Sequence, residues 1–298
     1  DLRNWFFGVI KETLHKFNYR EYGGPMLESY DLYVAKSGEE IVNEQTYHFE
    51  DNGGRMLAVR PEMTPTVARM VAAKLGSLNM PLRWFSIPNL YRYEKPQRGR
   101  LREHWQVNVD MFGSDAIETD LELLMVASEL LKSFGADESM FTIKINNRRF
   151  YNDLFETYLG LDKEGARKVS KAIDKKHKMS DESFQEYLAE LGLNEEKIKK
   201  LNSFFTLSLD EMIALCPESQ GAMELKGLFG LIKEAGMSSF CEFDFSIIRG
   251  LDYYTGTVVE TVLEGNEQYG SICSGGRYDN LAENYNIGVF TFREIDTI

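Results

Sequence analysis

Apolar residues recur every three or four positions from Leu2 through Phe6, Val9 and Ile10 to Leu14. That is the spacing of one buried helix face, so residues 2–17 read as a helix. Tyr22-Gly23-Gly24-Pro25 breaks it. Residues 31–59 read as short strands around a turn at Asp51-Asn52-Gly53-Gly54. Thr64-Pro65 reads as a helix start, with Thr64 as the N-cap and Pro65 at the first helical position. That helix stops near Gly76. Residues 82–112 alternate as strands around a polar loop at 95–100, and a helix follows from Ala116 to Phe134, closed by Gly135. Phe141, Ile143 and Ile145 alternate with Thr142, Lys144 and Asn146, the signature of a half-buried strand. From 148 to 239 the chain is rich in Lys and Glu and helical in pattern throughout. Strands return over 240–280. A strand-rich region interrupted by helices and then resumed predicts an α+β domain, residues 1–147 and 240–298, carrying an inserted all-helical domain at 148–239.

Composition narrows the class. At 298 residues and 43% hydrophobic, the chain can bury a core without a staple. Its 3 cysteines (Cys216, Cys241 and Cys273) and 4 histidines are scattered. They give neither a disulfide framework nor a zinc spacing, so no zinc-type protein ligands are expected and a reducing compartment is. No run approaches the ~18 apolar residues of a membrane span, and no signal-peptide start is seen. The expectation is a cytoplasmic protein with no membrane partner. The opening straight into a helix is what a trimmed N-terminus would look like. A net charge of -13 argues against nonspecific coating of nucleic acid but leaves local basic patches open.

Four polar clusters carry candidate chemistry. In Arg92-Tyr93-Glu94 and Gly99 to Gln106, two strands flank a loop. On the second strand Gln106, Asn108 and Asp110 share one face, while Trp105, Val107, Val109 and Met111 share the other. Three polar side chains in a row fit a face that meets solvent or a polar ligand. Arg249-Gly250-Leu251-Asp252-Tyr253-Tyr254-Thr255-Gly256 fits either a binding surface or an aromatic turn with a surface arginine. There arginine would offer a planar fork to carboxylate or phosphate. Ser274-Gly275-Gly276-Arg277-Tyr278-Asp279 has neither a Walker loop nor a GxGxxG helix start, so a bound phosphate would be held by arginines. Arg60-Pro61-Glu62-Met63-Thr64 immediately precedes the helix expected to start at Thr64-Pro65, and there Glu62 fits a helix-dipole partner as well as a ligand contact.

Together these segments resemble the histidyl-tRNA synthetases, a family of class II aminoacyl-tRNA synthetases. The resemblance runs in the family's order from about residue 1 to 285. Pro25, in Glu21 to Glu28, resembles the proline of motif 1. Arg92-x-Glu94, Gly99-Arg100 and the strand to Gln106 resemble motif 2. Residues 249–256 and 274–279 match the two histidine-specific signatures, of which the first is much the more specific.

The resemblance implies a six-stranded antiparallel sheet flanked by helices and a homodimer formed through motif 1. It implies ATP and Mg²⁺ as cofactors, histidine as substrate, and transfer of histidine to tRNA(His). Residue by residue, Arg92 would grip the α-phosphate, with Arg249 approaching it and the substrate carboxylate from the other side. Glu94, Arg100 and His104 would complete the ATP site. Glu62 and Gln106 would hold the α-ammonium, with Thr64 nearby. Asp110 and Tyr254 would hydrogen-bond the imidazole, and Tyr278 would close the pocket. The inserted helices would lean on the tRNA acceptor arm through Arg167, Lys168, Lys171 and Lys175, although a solvated helix face reads the same way; Lys197, Lys199 and Lys200 form a smaller basic group.

The chain departs from the family at three places. His104 stands where motif 2 usually has Phe, Asp110 is shorter than the usual Glu, and residues 286–298 replace the glycine-rich helix of motif 3. Arg293 therefore receives no motif 3 role, and no anticodon-binding domain is seen. The alternatives are the synthetase-like regulatory subunit of ATP phosphoribosyltransferase and a pseudo-synthetase domain that senses uncharged tRNA.

Overall fold

The structure, a computed structural model, describes residues 1–34, 37, 41–95, 101–176, 179–248, 254–266, 270–279 and 292–297, with the backbone alone at 41, 43 and 292–297. Helix α1 (Leu2–Lys16) opens on Asp1, whose carboxylate accepts the Asn4 N–H at 3.1 Å. Strands β1 (Arg20–Glu21) and β2 (Leu27–Ser29), helix α2 (Tyr30–Val34), a π-helical turn (Ile41–Gln45), β3 (His48–Glu50) and β4 (Met56–Val59) follow. The expectation of strands across 31–59 therefore fails in its first half. Leu32 and Tyr33 are adjacent and both buried, which a one-sided strand cannot arrange but a helix can. The expected turn is present: Asp51 Oδ1 accepts the Gly53 and Arg55 N–H groups, each at 2.9 Å.

Helix α3 (Thr64–Lys74) corrects a second expectation. Met63 is its N-cap, no side chain caps it, and Thr64 is already helical. Then come β5 (Leu82–Ser86), β6 (Asn89–Tyr91), β7 (Glu103–Trp105), β8 (Val107–Phe112), α4 (Ile117–Ser133) and β9 (Phe141–Asn147). The helical stretch comprises α5 (Arg148–Asp153), a π-helical turn (Leu154–Tyr158), α6 (Lys163–Asp174), α7 (Asp181–Glu190), α8 (Glu195–Ser203), α9 (Leu209–Leu215) and α10 (Gln220–Glu234). Short polar side chains start these helices by accepting orphan N–H groups: Asn147 for α5, Asp162 for α6, Ser180 for α7, Asn194 for α8, Ser208 for α9 and Ser219 for α10. The chain closes with β10 (Cys241–Phe243), β11 (Thr257–Leu263), β12 (Cys273–Arg277) and β13 (Phe292–Thr297).

The main sheet runs β1-β5-β8-β13-β12-β11-β9-β10. Its six inner strands are antiparallel neighbours, and β1 and β10 each add a short parallel strand at an edge. The expected six-stranded antiparallel sheet is thus the centre of an eight-stranded one. Residues 292–297 of the unusual C-terminal segment lie within it, as β13 seats Glu294 opposite Asp110 on one side and Gly276 on the other.

The two sheet faces differ in chemistry. Val107, Val109 and Met111 join Ile143, Ile145 and Val259 in an apolar cluster with Leu14 of α1, Leu124 of α4 and Leu228 of α10. Each such side chain contributes about 1.5–3 kcal/mol when fully buried. On the opposite face α3 packs through Val67, Ala68 and Val71 against Phe112, Tyr254, Val258 and Tyr278. Gln106, Asn108 and Asp110 lie on this second face and are buried. An unpaired buried polar group costs about 1–3 kcal/mol, and side-chain atoms of Gln106 and Asn108 on this face are unpaired. A functional use is the natural reason for it.

Candidate active site

Six consecutive β8 residues are buried, including both polar ones, which excludes the solvated-face reading of Gln106, Asn108 and Asp110. Asp110 is 1% exposed. Its Oδ1 accepts the Tyr278 hydroxyl at 2.7 Å and its Oδ2 faces the Tyr22 hydroxyl at 3.4 Å. A carboxylate is stable at such depth only when hydrogen-bonded, and phenols from two distant segments do this here. Gln106 sits where β7 ends and β8 begins, and its N–H is donated to the Pro88 carbonyl at 3.1 Å.

The turn before α3 forms a second group. Glu62 is 5% exposed and accepts the Ser37 hydroxyl. Thr64, two residues on, is buried as well. Arg92 is tied to this turn, because its Nε donates to the Pro61 carbonyl at 2.9 Å. Its own N–H pairs with the Arg102 carbonyl at 2.9 Å, closing the two arms of the motif 2-like hairpin. His104, half-buried on β7, lies in the field of Arg92 and Glu94. Burial first, and the Arg92 guanidinium second, hold its pKa below the ordinary histidine value, against a smaller opposing pull from Glu94.

This depression has a stability consequence. Below a pH of about 6.5 the unfolded chain takes a proton at His104 before the folded chain does. The stabilisation is complete above that pH and is lost as the pH falls below it. His104→Phe should therefore lose less stability than the parent between about pH 6.5 and 5, read as urea midpoints. Parallel pH profiles for the two proteins would contradict the assignment.

The signature segments meet β8 through close packing. A Cβ placed on Gly276 would lie 2.8 Å from the Tyr254 ring, so glycine is what lets the ring lie on β12. Below it, Asp279 Oδ2 accepts Arg149 Nη2 at 2.7 Å and the Thr255 hydroxyl at 2.8 Å. Arg149 Nη1 also donates to Glu224 Oε1 of α10 at 2.6 Å. The buried Arg277 donates to the Asp115 carbonyl at 2.7 Å. This network joins both signature segments to the last helix of the helical stretch.

The same arrangement has known counterparts. The family model for histidyl-tRNA synthetase matches residues 5–289. The chain belongs to the histidyl-tRNA synthetase family. A histidine–tRNA ligase from Leptospira biflexa is 44% identical over all of this chain and 67% of its own length. The chain spans about two thirds of the length of the curated relatives it matches. The fold is that of a histidyl-tRNA synthetase from Nostoc (TM-score 0.85, 24% identity, 99% of this chain and 69% of that one). It is also that of an ATP phosphoribosyltransferase regulatory subunit/histidyl-tRNA synthetase from Bacillus halodurans (TM-score 0.83, 23% identity, 99% and 76%). The ligase relatives carry 35–44% identity, so the ligase assignment rests on sequence and the regulatory-subunit alternative on likeness of fold alone.

Of the residues that the sequence singled out, Tyr254 and Tyr278 pack with α3 and Phe112 of β8, and the Tyr278 hydroxyl reaches Asp110. Arg249 and Arg100 lie outside the described residues. The basic residues Arg167, Lys168, Lys171 and Lys175 are exposed on and just after α6, with Lys168 paired to Glu164 at 2.7 Å. Sequence reading missed Tyr22, Arg149 and Glu224. Tyr22 was visible only as part of a helix-breaking segment, and Arg149 pairs with Asp279 across 130 positions, a separation that leaves no local signal. No helix among the described residues is long and apolar enough to cross a membrane.

Proposed function

We propose that this chain activates histidine with ATP to histidyl-adenylate and transfers it to tRNA(His). The α-ammonium of histidine is received by Glu62 and Gln106 beside Thr64. The imidazole lies between Asp110 and Tyr254, with Tyr278 closing the pocket. The observation that carries this reading is Asp110, a nearly inaccessible carboxylate whose orientation is fixed by the Tyr278 and Tyr22 hydroxyls. An acceptor held that way tests for a ring N–H, and residues of similar size without one leave it unpaired.

In the first step a histidine carboxylate oxygen attacks the α-phosphorus of ATP in line. A P–O bond forms, and the bond to the β-phosphate oxygen breaks with its electron pair leaving on pyrophosphate. Arg92 and Arg249 stabilise the charge that develops, the expected main contribution in phosphoryl chemistry. Glu94, Arg100 and His104 hold the rest of the nucleotide, with the neutral His104 ring as the adenine platform. In the second step the terminal ribose hydroxyl of the tRNA attacks the acyl carbon and AMP leaves. Among the described residues no group of three or more His, Cys, Asp or Glu side chains could hold a metal ion. Mg²⁺ would enter with the nucleotide, neutralising charge on its phosphates, and no step here is assigned to it.

The same reading makes residues 1–147 and 240–298 the catalytic domain and 148–239 an insertion domain. Its α6 residues Arg167, Lys168, Lys171 and Lys175 would meet the tRNA acceptor arm, in a cytoplasmic homodimer. The test is exchange of labelled pyrophosphate into ATP. Exchange is expected with histidine and with no other amino acid. Absence of exchange under saturating histidine would sink the proposal for this chain, and histidine binding without exchange is what a regulatory relative would give.

A further inference from the structure

Asn108 lies between Gln106 and Asp110 on the site face of β8, one strand step of about 6.6 Å from each, and it is 2% exposed. Neither its amide nitrogen nor its amide oxygen has a hydrogen-bond partner. Two neighbours share this state. Ser86, directly opposite Asn108 across the β5–β8 pairing, has a buried hydroxyl without a partner, and so has the Gln106 side-chain oxygen. Groups at such depth are nearly always paired. An unpartnered donor, acceptor and hydroxyl gathered at one point of a sheet are the mark of a polar ligand that completes them.

We infer that Asn108 is a further binding residue of this site and that its amide oxygen accepts from the substrate α-ammonium; the inference rests on the reading of the site given above. An ammonium has three N–H donors. Glu62 and Gln106 account for two of them. The ring end of histidine is taken by Asp110 and Tyr254, and the middle of the molecule is an apolar methylene. A polar side chain rising between Gln106 and Asp110 therefore meets its partner at the ammonium end. Ser86 lies behind the amide and orients it once the ligand is in place.

The inference separates stability from binding. Asn108→Leu keeps the number and branching of the side-chain heavy atoms and removes the unpartnered amide. The ligand-free variant should therefore melt about 2 °C or more above the parent. Its histidine affinity by calorimetry should fall about tenfold to a hundredfold, as expected for loss of a hydrogen bond to a charged group. Imidazolepropionate, which lacks the α-amine, locates the contact: the parent should prefer histidine to it strongly, and Asn108→Leu should lose about that same tenfold to hundredfold of preference. An unchanged preference in the variant, or a lower melting temperature without ligand, would overturn the inference, the latter because the amide would then be structurally paired. A parent chain that melts normally yet binds no histidine would overturn the reading of the site itself.

Discussion

Arg92→Ala should lower histidine-dependent pyrophosphate exchange by about a thousandfold, near 4 kcal/mol of transition-state stabilisation. Arg92 is half-buried beside the Pro61–Thr64 turn and fixed by its Nε hydrogen bond to Pro61. Fixing one nitrogen of a planar fork orients the other two, and a pre-oriented guanidinium stabilises developing phosphate charge without reorganising. Arg92→Lys should recover little, since a lysine ammonium is a point charge on a flexible stem and cannot make the Nε contact. Calorimetry separates this role from a structural one. If Arg92 acts on the nucleotide, the alanine variant should still bind histidine within a few-fold of the parent while exchange collapses. Equal losses in both would mean that Arg92 only props up Glu62. Arg249→Ala should act in the same direction as Arg92→Ala.

The legibility of this fold tracks the range of the interactions that build it. Helix α4 announces itself through apolar spacing alone, and α6, α7 and α8 through apolar spacing and a short polar side chain at the N-cap, all contained within about fifteen positions. Segment 30–34 misled because Tyr30, Tyr33 and Val34 are good strand formers whose helical state is decided by packing against β4. Thr64 misled for a related reason. Thr-Pro resembles a cap, but the chain turns into the helix one residue earlier, and that leaves Thr64 inside the helix and buried. The polar face of β8 was visible as a pattern, whereas its burial was not, because burial depends on α3 and on β12. The Asp110–Tyr278 bond spans 168 positions, so the sequence offered the two ends and only the fold brings them together. The charged network through Arg149 had no counterpart in any motif.

That network explains a second large effect, on stability. Gly221, the second residue of α10, should not tolerate even a methyl group. A Cβ there would fall 2.7 Å from Asn147 Oδ1 and 2.8 Å from Phe150 Cα, and nearer still to the Phe150 N–H. Backbone cannot swing aside as a side chain can. Asn147 Oδ1 is also the acceptor that caps α5, taking the Arg149 N–H at 2.9 Å, and Asn147 Nδ2 donates to Glu224 at 2.8 Å. Gly221→Ala would therefore force α10 off α5, weaken that cap and pull Glu224 away from Arg149. Overpacking costs about 1–3 kcal/mol and a lost cap about 1, against a gain of about 1 from replacing glycine in a helix. The expected net loss is about 1–3 kcal/mol, or a fall of several degrees in Tm. Gly227 and Gly230 lie on the same helix with nothing near their absent Cβ atoms, so alanine at either should raise Tm slightly. Opposite signs along one helix distinguish close packing from helix propensity, and a Gly221→Ala variant as stable as Gly227→Ala would refute the argument. If the sign is as expected, exchange activity should fall with Gly221→Ala below the melting range as well, because Arg149 carries the displacement of α10 to Asp279 and from there to the segment that presents Tyr278 to Asp110.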